Sequence, residues 1–196
     1  MGSIINVKQP EFNLRSRLNE LDYDTIPYEK MPLGSVIQVE KTAGLHTGSI
    51  STTSASFQPV NHLVVSFEPH FQNSLIRIDV SVQYFFHNDW NNSGNYAVFT
   101  VYRNGSINLA DNAYTEQSTT TTYNGNSGTV GAWFAAQAPF ANYNHTANFT
   151  LWDIPHTTQT SQYKLYYRMH TTGGTRRLYT GWNSHNDSIA VSEIKQ

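Results

Sequence analysis

Between Leu75 and Phe86 apolar and polar side chains alternate without a break. Ile76, Ile78, Val80, Val82, Tyr84 and Phe86 fall on one side, and Arg77, Asp79, Ser81 and Gln83 on the other. A period of two over this length predicts a β-strand with one dry face and one polar face. The same alternation governs nearly everything after Gly34. It predicts strands over 35–42, 62–68, 75–87, 96–104, 106–110, 131–137, 146–154, 162–171, 176–180 and 188–193. Turn-forming clusters separate most of them: Asn91-Asn92-Ser93-Gly94, Asn104-Gly105, Asn124-Gly125-Asn126-Ser127-Gly128 and Gly173-Gly174. Asn104-Gly105, flanked by apolar alternation, is the sharpest hairpin signal. Short strands without a helical pattern between them imply two packed antiparallel sheets, most commonly arranged as a jelly roll. The expected class is all-β: an antiparallel, jelly-roll-like β-sandwich with a short N-terminal helical and extended arm.

The arm, residues 1–34, follows a different pattern from the β-domain, residues 35–196. Pro10 suits a first helical position, and Leu14, Leu18 and Leu21 then share one face, which predicts a short helix ending at Leu21. About three turns of helix are marginal alone, so the leucine face must pack against something. Beyond it, Pro27 and Pro32 favour an extended path for Tyr23 to Pro32. Phe12, Leu14, Leu18, Leu21, Tyr23 and Tyr28 make this an attachment segment that docks on other subunits of an assembly; the alternative is an arm folded back on its own domain. In Tyr96 to Tyr102 both strand faces carry apolar groups. Packing three copies around an axis would cover the second face, so a homotrimer is expected; a loop of the same chain would also cover it.

Composition narrows the class. At 196 residues the chain suits one domain with an appendage, able to bury a core without staples. Charged residues make up only 13 % and aromatics another 13 %, a blend unlike a disordered tail. The net charge of −2 and the lack of any basic cluster beyond Arg176-Arg177 argue against nucleic-acid binding. Cysteine is absent, which removes disulfides and thiolate metal sites. No apolar run reaches the length of a signal peptide or a membrane span, so synthesis in the cytosol and no membrane insertion are expected.

Catalytic machinery is not assembled in any recognisable form. His46, His62, His70, His87, His145, His156, His170 and His185 show no metal-binding spacing, and nucleophile-elbow, phosphate-loop and dinucleotide motifs are missing. No metal and no cofactor are expected. Asp79 and Asp153 are conceivable as a glycosidase pair, although salt-bridging or capping explains each more simply. Two polar, aromatic-studded segments are better candidates for contact with a receptor or glycan. Asp89, Trp90, Asn91 and Asn92 form one, and Trp182, Asn183 and His185 the other. An indole can stack on a sugar face while amides and carboxylates bond its hydroxyls.

Several phrases carry a family resemblance: Gly34-Ser35-Val36-Ile37-Gln38-Val39, Tyr102-Arg103-Asn104-Gly105, Ser161-Gln162-Tyr163-Lys164-Leu165-Tyr166-Tyr167-Arg168 and Ser188-Ile189-Ala190-Val191-Ser192-Glu193-Ile194. From Gly34 onward the chain resembles the C-terminal β-domain of tail-fibre and other virion structural proteins of marine tailed phages, cyanophages and their relatives. Such fibres usually place a long repetitive shaft before this domain, whereas only the short arm precedes it here. The resemblance implies a non-enzymatic virion component made in the host cytoplasm. It would be a tail-fibre or receptor-binding protein that touches other virion proteins through its arm and host surface polysaccharide through its loops. A capsid decoration protein is the alternative, and a lectin-like module or glycan-cleaving enzyme a further one.

Overall fold

The computed structural model describes residues 27–45, 50–54, 56–87, 96–110, 121–123, 126–128, 134–137, 145–169, 177–180 and 186–196. The chain divides into two compact units, 1–32 and 33–196. In the first, the described residues form a single 3₁₀ turn, Tyr28–Lys30. The predicted helix ending at Leu21 lies outside the described residues.

The second unit contains β1 (Val36–Leu45), β2 (Ile50–Thr52), β3 (Gln58–Phe67), β4 (Leu75–His87), β5 (Tyr96–Arg103), β6 (Ile107–Asn108), β7 (Thr121–Tyr123), β8 (Asn126–Gly128), β9 (Phe134–Gln137), β10 (His145–Asp153), β11 (Ser161–Met169), β12 (Arg177–Thr180) and β13 (Asn186–Ile194). All pairings between them are antiparallel. In the first sheet β4 is flanked by β10 on one side and by β13 and β12, end to end, on the other. Beyond those two run β1 and β2. In the second sheet the order is β3, β11, β5, and then β6 and β9 along the far edge of β5. The pair β7–β8 stands apart. The main strands visit the sheets in the sequence first, second, first, second, second, first, second, first through β1, β3, β4, β5, β9, β10, β11 and β13. That is the jelly-roll order, four strands wide in each sheet.

Burial follows the alternation. Ile76, Ile78, Val80, Val82 and Tyr84 of β4 meet Tyr163, Leu165, Tyr167 and Met169 of β11 and Ala97, Phe99 and Val101 of β5 in one core. The Tyr84 and Phe99 rings, from opposite sheets, lie 5.4 Å apart. Burial pushes the Tyr84 and Tyr167 phenols up to about 12, so both stay protonated and neutral within the core. Pro59 sits in β3, which among the described residues pairs only with β11; an edge strand is where a missing N–H does no harm. The Asn104-Gly105 hairpin forms as expected: φ is 53° at Asn104 and 71° at Gly105, the positive pair of a tight I′-type turn.

Two expectations need correction. Asn126-Ser127-Gly128, read as part of a turn, forms the short strand β8, and β7 and β2 carried no signal long enough to detect. More consequential is the second face of β5. Val98 is 1 % exposed and Thr100 is fully buried within the single chain. Over that face Tyr102 packs on Tyr166 with ring centroids 4.3 Å apart and on Phe57 at 5.9 Å, and the Arg168 guanidinium caps Phe57 at 5.1 Å. The chain covers this face itself, so β5 no longer calls for a threefold neighbour.

Candidate functional site

The predicted contact segments lie outside the described residues: Asp89, Trp90, Asn91 and Asn92 in 88–95, and Trp182, Asn183 and His185 in 181–185. The flanking strands are described, and they fix where each segment leaves the sandwich. β4 ends at His87 opposite Arg177, and β5 begins at Tyr96 opposite Gln137. Thr180 stands opposite Tyr84, and Asn186 opposite Leu45. Because neighbours run antiparallel, these residues all belong to the same end of the two sheets. His87, Tyr96, Thr180 and Asn186, the described residues that flank the two tryptophan-bearing segments, therefore lie in that half of the sandwich.

The chain enters the domain at the other end. Val36 stands opposite Ile194, which in turn faces Leu75. There the Gly34 N–H donates to the Lys195 carbonyl at 2.8 Å and the Lys195 N–H to the Ser35 carbonyl at 2.9 Å, which ties entry and exit together. Of the predicted attachment residues, Phe12, Leu14, Leu18, Leu21 and Tyr23 lie outside the described residues. Tyr28 is described and is 39 % exposed in its 3₁₀ turn.

Three acids hold this frame, of which only Asp153 carried a structural expectation, salt-bridging or capping. At the entry end Glu193, fully buried on β13, accepts the N–H groups of His70 and Phe71, the Ser74 hydroxyl and the Gln38 amide, and its Oε2 lies 3.0 Å from His70 Nδ1. It thereby fixes the loop between β3 and β4. At the opposite end the β1/β2 and β13/β12 lanes both break, between Leu45 and Ile50 and between Thr180 and Asn186. The Gln83 N–H faces that break and donates to Asp187 Oδ1 at 2.8 Å, while Asp187 Oδ2 lies 3.6 Å from His62 Nε2. Also at the entry end, Arg103 of β5 and Tyr163 of β11 both bond Asp153 of β10, which like Glu193 stands opposite Ile76. The signal for all three was parity: each acid shares its strand face with core residues.

The conceivable glycosidase pair does not assemble. Asp153 points into the core and is 2 % exposed, whereas Asp79 points outward from the same sheet, 39 % exposed and paired with Arg77 at 3.0 Å. No substrate can lie between carboxylates on opposite faces of one sheet. Among the described residues no group of three or more His, Cys, Asp or Glu is placed to hold a metal ion. Among them, too, no helix is long and apolar enough to cross a membrane.

No family model matches the chain, and no curated protein matches it. Among solved structures it is similar to that of infectious bursal disease virus Gx strain, with TM-score 0.38 and 11 % identity over 81 % of this chain and 37 % of that one. The Gt strain structure gives TM-score 0.37 and 9 % identity over 83 % and 39 %. The VP2 subviral particle of the same virus gives TM-score 0.35 and 13 % identity over 81 % and 37 %. The chain thus spans 37–39 % of the length of these proteins. Likeness this distant transfers neither residues nor activity. No sequence-level match links the chain to phage tail-fibre proteins; the phrases quoted for that resemblance fall at or beside β1, the Asn104 hairpin, β11 and β13.

Proposed function

We propose that this chain is a non-enzymatic structural protein of a phage virion, a tail-fibre or receptor-binding component attached through its N-terminal segment. The observation that carries this reading is the polarity of the domain. Gly34 is pinned to Lys195 at one end, and His87, Tyr96, Thr180 and Asn186, which flank the two tryptophan-bearing segments, lie in the other half. A rigid sandwich with attachment at one end and polar aromatic segments at the other suits a contact protein, whose per-site affinity for surface glycan would be multiplied by copy number. Jelly rolls serve chiefly as capsid, lectin and cupin domains. Here the interior is filled by Tyr163, Tyr167, Phe67 and Phe99, which favours the first two uses over a cupin-like internal site. Assembly is assigned in this proposal to the arm, since β5 is covered by its own chain.

Deleting residues 1–32 tests the reading. The expected product is a folded, monomeric β-domain that no longer incorporates into particles. Incorporation at the level of the full chain would overturn the attachment role. Glycan binding that is unchanged in the Trp90→Ala and Trp182→Ala variants would remove the contact role from those segments.

A further inference from the structure

The outward face of the first sheet is a second candidate surface, built from three rungs of side chains. Register aligns Val39, Ser192, Arg77 and Trp152; then Lys41, Ala190, Asp79 and Thr150; then Ala43, Ser188, Ser81 and Asn148. Ala190, Ser188 and Ser81 stand lower than their neighbours. The face therefore sinks into an open trough of about 440 Å³, with Lys41 on one side and Asn148 and Thr150 on the other.

Its charges are arranged unevenly. Asp79 is neutralised in place by Arg77, whose Nε lies 3.1 and 3.0 Å from the two carboxylate oxygens, and it accepts the Thr150 hydroxyl at 2.6 Å. Lys41 has no ion pair among the described residues. Its neighbour Glu40 shares the parity of Gln38 and Thr42, whose side chains bond the Glu68 and Val64 carbonyls on the inward side. The trough thus offers hydroxyls and an amide beside Lys41, whose positive charge has no ion pair among the described residues. In the neighbouring rung Arg77 lies 5.9 Å over the Trp152 ring.

We propose that this trough binds an acidic oligosaccharide. The sugar hydroxyls would bond Ser81, Ser188, Asn148 and Asp79, and a sugar carboxylate would meet Lys41. A lone cation is too small a footprint for a nucleic acid. The floor of alanine and serine, without large apolar anchors, does not suit a protein hot spot. The proposal is independent of the virion reading and of the tryptophan-bearing segments.

Calorimetric titration of the full chain tests it, using oligomers of galacturonate, mannuronate and sialic acid, each beside its methyl-esterified, uncharged form. At least one acidic oligomer is expected to bind ten-fold or more tightly than its ester, with an affinity that falls as salt rises. Lys41→Glu should erase that preference. Ala190→Phe should fill the floor and abolish binding of both forms, and the thermal midpoint of each variant establishes that it is folded. Trp90→Ala with Trp182→Ala should leave binding intact. No binding by any oligomer, equal binding of acid and ester, competition by oligothymidylate at equal potency, binding that survives Ala190→Phe, or loss in the tryptophan variant would each overturn the proposal.

Discussion

Arg103 and Asp153 meet across the interior of the sandwich, one from each sheet, with a single guanidinium nitrogen 2.9 and 2.8 Å from the two carboxylate oxygens. The Tyr163 hydroxyl donates to the same carboxylate at 2.9 Å, and burial, reinforced by the Asp153 charge, pushes that phenol well above its ordinary range. Removing one partner of such a pair leaves the other charge buried and unpaired. Asp153→Ala is expected to cost about 3–5 kcal/mol in urea unfolding. The double variant Arg103→Met with Asp153→Leu should cost far less than its two single changes combined. Additive losses would show that the pair is not coupled.

Glu193 should make stability depend on acid. Burial of its carboxylate raises the pKa, but the hydrogen bonds from the His70 N–H, the Ser74 hydroxyl, the His70 ring and the Gln38 amide together outweigh burial and hold it below the ordinary glutamate value. A depressed pKa contributes fully above the unfolded-state value and is lost as pH falls through the folded-state value. Glu193→Gln is therefore expected to cost about 1–3 kcal/mol at neutral pH, with the gap to wild type narrowing in acid. A gap that stays constant with pH would contradict the role of the charge.

Gly105 is required for its backbone rather than for space. A β-carbon there would meet only the Tyr166 hydroxyl, at 3.8 Å, whereas φ of 71° is costly for any side chain. Gly105→Ala should destabilise by about 1 kcal/mol, a fall of roughly 2–4 °C in thermal midpoint for a chain of this size. Retention of the wild-type midpoint would refute the turn assignment.

Val98 separates cover by the chain itself from cover by a neighbouring copy. Val98→Ala is expected to lower stability by about 2 kcal/mol at every protein concentration, because the valine is buried without a partner subunit. A loss that shrinks as concentration rises would indicate that a second copy supplies the cover.

Much of this architecture was legible in the chain. Alternation in 75–87 and 161–169 placed strands close to their observed limits, because a face that packs on a core tolerates few polar intrusions. β2, β7 and β8 were too short for a period to show. The three structural acids were readable in principle: Asp153 shares parity with Phe149 and Leu151, Glu193 and Asp187 with Ile189 and Val191, and an acid on a core face must find donors. Their partners were not readable, because Arg103, His62 and His70 come from strands and loops remote in sequence. The meaning of the second face of β5 was likewise hidden, since Phe57, Tyr102 and Tyr166 meet only once the second sheet forms.

Electron cryo-microscopy of intact particles carrying this protein would test the central claim most directly. The sandwich is expected on the particle surface with the Gly34 and Lys195 end against the virion and the His87 and Tyr96 end toward solvent. A domain seated the other way round, or particles that lack the protein altogether, would contradict it.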